Sequence, residues 1–143
     1  MRLSTLGEFA DKYWRGIPDH FPHVTLDEFV IMPNHVHGII VINSNDYSPV
    51  EMQHPVETRH PVETQHAASL QSMLPLPKPG SISTIVRSYK SAVTRWAGQN
   101  DHTEFAWQER FYDHIIRNEK SLENIRMYIL ANPGRWDTDE YYA

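Results

Sequence analysis

The apolar positions change period several times along the chain. Leu3, Leu6, Phe9, Ala10 and Tyr13 recur at helical intervals between Leu3 and Arg15, which gathers them on one face of an α-helix. Ser4 stands where an N-cap hydroxyl is wanted, and Gly16, Pro18 and Pro22 break the pattern into an irregular link. The segments VTLDEFVIM (24–32) and HVHGIIVIN (35–43) are β-branched and apolar instead. Pro33 and Asn34 between them are turn formers, so the pair predicts a β-hairpin. The second strand is nearly all apolar in its C-terminal half, which predicts a central strand covered on both faces.

Residues 44–80 carry no period of either kind. HPVET occurs twice, at His54–Thr58 and His60–Thr64, and LPLPKPG closes the segment. Two Pro-bearing copies are too few for a solenoid, so the segment reads as a flexible low-complexity insertion in a single domain made of 1–43 and 81–136. Its histidines, His54, His60 and His66, fit a solvated linker better than a metal site. Order returns at Ser81–Trp96. Ile82, Ile85, Val86, Tyr89, Val93 and Trp96 share a helical face, with Ser81 or Ser83 as cap. FAWQERFYDHII (105–116) is aromatic-rich and reads as a strand. Ser121 is expected to cap a last helix over 122–132, ended by Pro133, with a loose acidic and aromatic tail at 137–143.

With 143 residues the chain is one domain's worth of sequence. It lacks cysteine, which removes thiolate catalysis, disulfides and Cys-zinc sites and suits a cytoplasmic location. No apolar run approaches the roughly 20 residues of a membrane span. The net charge of −5 argues against coating nucleic acid by bulk charge. The average hides an asymmetry, because no acid occurs between Ser81 and Asn100 while Arg87, Lys90 and Arg95 lie off the apolar face of that helix. Together with Arg110 and Arg117 they are candidates for phosphate contacts.

His35 and His37 are two apart on a predicted strand, so both imidazoles project from one face and can share a divalent ion. A bare His-x-His is more often a solvated or backbone-bonded pair. On the last helix, Leu122, Ile125, Tyr128, Ile129 and Asn132 fall within an arc of about 120°. Tyr128 and Asn132 therefore share the face that must pack on the sheet. A phenol is a nucleophile type and an amide oxygen can complete a metal shell. Spacing alone leaves core-rim packing equally open.

FVIMPNHVHGIIVI, with TIVRSYKSAVTRW and WQERFYDHIIRNEKSLENIRMYILANPGRW downstream, closely resembles the single-strand tyrosine transposases of the HUH superfamily, including the REP-associated tyrosine transposases. The resemblance covers about 1–43 and 80–136. It implies an α+β, ferredoxin-like sandwich with an antiparallel sheet and helices packed on one face. It implies His35, His37 and Asn132 as ligands of Mg²⁺ or Mn²⁺ and Tyr128 as the nucleophile. It also implies nicking and rejoining of single-stranded or hairpin DNA through a 5′-phosphotyrosine, by a monomer or homodimer. The family pattern begins with a strand that precedes the region matched by RLSTLGEFADKYW, so that strand is expected to be missing here. The alternatives are a DNA-binding remnant unable to cleave, and a metal-dependent hydrolase built on His35 and His37.

Overall fold

The computed structural model describes residues 2–43, 78–109 and 111–138. The HPVET repeats, their three histidines, Arg110 and the end of the tail lie outside the described residues. The remaining chain is α+β: helices α1 (Thr5–Arg15) and α2 (Ile17–His20), strands β1 (Val24–Ile31) and β2 (Val36–Ile42), then α3 (Ile82–Gln99) and α4 (Glu119–Ala131), which runs into a 3₁₀ segment (Asn132–Thr138).

The Ser4 hydroxyl accepts from Gly7 N at 3.1 Å and Ser81 Oγ from Thr84 N at 3.4 Å, as expected of N-caps. The last helix starts earlier than expected. Asn118 is its cap, its Oδ1 accepting from Ser121 N at 2.8 Å. Pro133 ends the α-helix but not the helical backbone, because a 3₁₀ segment tolerates it from Asn132 onward.

β1 and β2 pair antiparallel across the Pro33-Asn34 turn, which Met32 N closes by donating to His35 O at 2.8 Å. The register pairs Leu26 with Ile40 and Phe29 with Gly38. Asp27 and Glu28 thus oppose Ile39 alone, which is a β-bulge. The bulge lets Leu26 and Phe29, three apart, face the same side, where a regular strand would turn them to opposite sides.

That side holds the main core. Val24, Ile31, Trp14, Ile17, Ile85, Tyr89 and Val93 are buried there, with Leu26, Phe29, Val36 and Ile40 packed against them. Tyr89 Oη donates to Ala10 O at 3.2 Å and ties α3 to α1, and burial pushes its phenol up. Ile39 and His37 alternate with these positions on β2, and His37 meets Tyr128 of α4. The α+β class and the antiparallel ribbon are thus as expected for a small ferredoxin-like arrangement, but the helices are not confined to one face. α1 and α3 cover one side and α4 the other, where His37 of β2 meets Tyr128 and Asp27 of β1 meets Arg126.

Two expectations need correction. β2 is not central among the described residues: it has β1 as its one neighbour, and Val41 and Ile42 at its end are exposed. Residues 105–116 form no described strand. Phe105 and Trp107 pack by their side chains instead, Trp107 Nε1 donating to Lys90 O at 3.1 Å and Lys90 Nζ to Gln108 O at 2.9 Å. The alternating aromatics that suggest a ladder are anchors onto α3. Beyond them Tyr112 is 92% exposed.

Candidate functional site

The site forms where α4 and the 3₁₀ segment cross the ribbon beside its turn. His35 continues the line of β2 by one residue, its carbonyl fixed by Met32 N. The period of two then puts its ring next to that of His37, with centroids 4.5 Å apart and planes at 77°. Oδ1 of Asn34 can only accept a hydrogen bond, and it lies 2.6 Å from Nδ1 of His35. With the Asn34 amide in that orientation Nδ1 donates, which leaves Nε2 as the accepting nitrogen of that ring. Nε2 of both histidines is shut off from solvent.

Tyr128 approaches from α4. Its ring meets that of His37 edge-on at 5.3 Å, while the residue as a whole is 49% exposed. The side chain thus has one edge against the imidazole pair and open space on the other. Trp136, eight residues on, lies near-parallel to His35 at 6.1 Å. Asn132 stands midway between these two aromatics, one helical turn from each, and is 3% exposed. Its Nδ2 is buried with no hydrogen-bond partner among the described residues.

A buried amide nitrogen in that condition costs about 1–3 kcal/mol, a cost that a bound ligand would offset. The oxygen and nitrogen of an amide exchange on a half-turn of the group, which would present Oδ1 in place of Nδ2. Two imidazole nitrogens and an amide oxygen form a donor set that suits a divalent ion, manganese better than magnesium on the softness of imidazole. The residues present therefore fit such an ion. Among the described residues no group of three or more His, Cys, Asp or Glu could hold one, so an ion here would need a ligand of another type beside the two histidines.

A second contact sets α4 on the ribbon. Arg126 donates from Nε to Asp27 Oδ1 at 2.9 Å and from Nη2 to Oδ2 at 2.6 Å. The bulge supplies the partner, since Glu28 N also donates to Asp27 Oδ1 at 2.7 Å. The Arg126 hydrogen bond, then that of the Glu28 amide, holds the Asp27 carboxyl below the usual carboxylate range, and Asp27 raises the Arg126 guanidinium in turn. With Ile129 buried between them, Arg126 and Tyr128 flank the packed edge of α4. Holding Arg126 fixes the rotation of the helix and thereby the direction of Tyr128.

The structure therefore brings together His35, His37, Tyr128 and Asn132. Arg87, Lys90 and Arg95 lie along α3, on the opposite side of the ribbon, and Arg117 is exposed in the stretch before α4. Arg110 is outside the described residues. Sequence reasoning missed Asn34, read only as a turn former, and the Asp27–Arg126 pair. The first could have been found from its place next to His35. The second joins residues 99 apart, and no local pattern signals it.

Among the described residues no helix is long and apolar enough to cross a membrane. No family model matches the chain, and no solved structure matches it significantly. A protein of Haemophilus influenzae, described as uncharacterized, is 41% identical over 150 residues. The alignment takes in 100% of this chain and 73% of the relative.

Proposed function

The chain belongs to one family with that Haemophilus influenzae protein, and we propose that it is a metal-dependent enzyme that nicks and rejoins single-stranded DNA through a covalent phosphotyrosine. The observation that carries this reading is the approach of Tyr128 to His37 at 5.3 Å, beside a buried His35, His37 and Asn132 donor set. A nucleophile type and a metal-ligand set from separate elements meet at one half-open place. The resemblance of FVIMPNHVHGIIVI and MYILANP to the tyrosine transposases adds the same roles from sequence.

In the proposed reaction Tyr128 Oη attacks the phosphorus of a DNA strand. The Oη–P bond forms, the bond from phosphorus to the 3′-oxygen breaks, and the proton lost by the phenol ends on the departing 3′-hydroxyl. The 5′ end stays on Tyr128 as a phosphodiester, and attack by another 3′-hydroxyl reverses the step and joins strands. Because the phosphodiester bond is conserved at each exchange, no nucleotide cofactor is needed. His35, His37 and Asn132 would hold Mg²⁺ or Mn²⁺, which when bound polarises the phosphate and stabilises charge on its oxygens. Asn34 keeps His35 in the tautomer that ligation requires. Arg126 and Asp27 hold α4 so that Tyr128 faces the pair.

Incubation with Mn²⁺ and labelled single-stranded hairpin DNA, followed by a denaturing gel, tests the reading. A protein–DNA adduct is expected, absent from Tyr128→Phe and from the His35→Ala, His37→Ala double variant. DNA affinity without an adduct under either ion would indicate the non-cleaving remnant. Free 5′-phosphate ends without an adduct would indicate a hydrolase.

A further inference from the structure

The outer face of α3 carries a groove that the nicking site does not use. It holds about 510 Å³ and runs along the helix from Ser83 to Arg95, with Glu109 and Phe111 on its other wall. Arg87, Lys90 and Arg95 line one wall. They recur at intervals of three and five, so over roughly 12 Å of helix they spread positive charge across an arc of about 140° that faces the groove. Lys90 is fixed in place, its Nζ bonded to Gln108 O at 2.9 Å and lying 5.6 Å from the centre of the Trp107 ring. Arg87 and Arg95 are exposed and in no ion pair among the described residues. Thr94 lines the same space.

The opposite wall is different. Phe111 lines it and is 38% exposed, beside Glu109. A set of spaced cations facing an exposed aromatic ring fits an extended polyanion with flat apolar groups on one side. That is the chemistry of an unpaired nucleic-acid strand: phosphates along the helix, and a base on the ring. A duplex hides its bases and has no use for Phe111. Glu109 keeps phosphates away from its own wall and so sets which side of the groove the backbone follows.

We propose that this groove binds the backbone of single-stranded DNA away from the scissile phosphate, with Arg87 and Arg95 on successive phosphates and Phe111 under a base. The proposal deepens the nicking reading by giving its substrate a second contact, on the other side of the ribbon from Tyr128. It does not depend on the chemistry there. A groove at that distance changes affinity and leaves the covalent step alone.

The probe is fluorescein-labelled oligothymidylate, with anisotropy read over a series of KCl concentrations and without divalent ion. Each phosphate neutralised on a single strand contributes about −0.7 to the slope of log K against log salt. Arg87→Gln with Arg95→Gln should therefore flatten the slope by about 1.4 and weaken binding at low salt at least tenfold. Phe111→Ala should weaken it by about tenfold with no change of slope, since stacking carries no counterions. Glu109→Gln should tighten it. The control is Arg2→Gln with Lys12→Gln, which removes the same charge outside the groove and should leave the slope unchanged. All these side chains are exposed or at the groove lip, and unchanged circular dichroism shows that each variant is folded. Equal loss in the control and the Arg87, Arg95 variant would mean bulk charge and overturn the proposal, as would an unchanged slope in the latter. Tyr128→Phe should bind like the unmodified protein. If nicking is observed, the groove variants should raise KM and spare kcat. If it is not, the anisotropy result still decides the groove independently.

Discussion

Arg126 and Asp27 are joined by two hydrogen bonds, at 2.9 and 2.6 Å, across the gap between α4 and the bulge of β1. The pair has a defined pH signature. The folded pKa of Asp27 lies below its ordinary value, through the Arg126 hydrogen bond first and the Glu28 amide second. The group therefore contributes its full stability above the unfolded value of about 3.9. That contribution is lost as pH falls through the lower folded value. Asp27→Asn should reduce Tm by a few degrees at neutral pH, and the gap to the unmodified protein should close as pH drops below about 4. Thermal melts of both proteins across that window check it. A gap that stays constant into acid would remove the charge argument.

Asn132 sets function against stability. Its Nδ2 is buried with no hydrogen-bond partner among the described residues, so Asn132→Leu replaces a group with an unsatisfied buried nitrogen by an apolar group of similar size. The metal-free protein should become more stable by about 1 kcal/mol. Mn²⁺ should raise the Tm of the unmodified protein by mass action and should fail to do so in the variant. A destabilised Asn132→Leu protein that still responds to Mn²⁺ would show that the amide serves the fold and not an ion.

Much of this site was legible in the chain because it obeys simple periods. His35 and His37 are two positions apart and Tyr128 and Asn132 four, and regular backbone converts both spacings into shared faces. α1 and α3 were legible for the same reason, with Ser4 and Ser81 marking their starts. What escaped was non-local. The bulge at Asp27-Glu28 inverts the alternation of β1 after Leu26, and the sequence offers two acidic residues there with nothing to say that one of them faces α4. Glu119 and Lys120 are polar, so the apolar stripe was silent about the first turn of α4 and pointed to Ser121 in place of Asn118. Phe105 and Trp107 alternate like strand residues, yet their backbone joins no ladder. The ring nitrogen of Trp107 finds its acceptor on α3, a bond that only tertiary structure can reveal.

Gly38 is required by the ring of Trp14. The residue follows His37 on β2, and a Cβ built there would overlap the indole, with Cε2 and Cζ2 in the way and Cη2 at 3.0 Å. Trp14 is itself buried, packed against Phe29 and Tyr89, so it has little room to retreat. Gly38→Ala should cost about 1–3 kcal/mol, read by urea denaturation. Combining it with Trp14→Phe should recover part of the loss, since the smaller ring leaves the space that the methyl needs. Additive losses in the double variant would show that the strain at Gly38 comes from elsewhere.

His23 brings together the two ends of the chain that flank residues 44–77. Its carbonyl accepts from Asn43 N at 2.8 Å, where β2 ends, and its Nε2 lies 3.0 Å from Gly80 O, just before α3. The residue is buried, and it makes both contacts, so His23 links the end of β2 to the start of α3. Loop-closure entropy rises only as the logarithm of length, by about 0.6 kcal/mol per doubling. Replacing residues 45–77 by a short Gly-Ser linker should therefore leave the fold intact and raise Tm slightly, through a smaller closure cost. His23→Ala should destabilise the protein with the long segment and with the short linker alike, by about 1–3 kcal/mol, because Gly80 O loses its partner while the backbone bond from Asn43 N stays. Thermal melts of the four combinations decide it. Collapse of the shortened chain with His23 present would mean that the 45–77 segment itself contributes to the core.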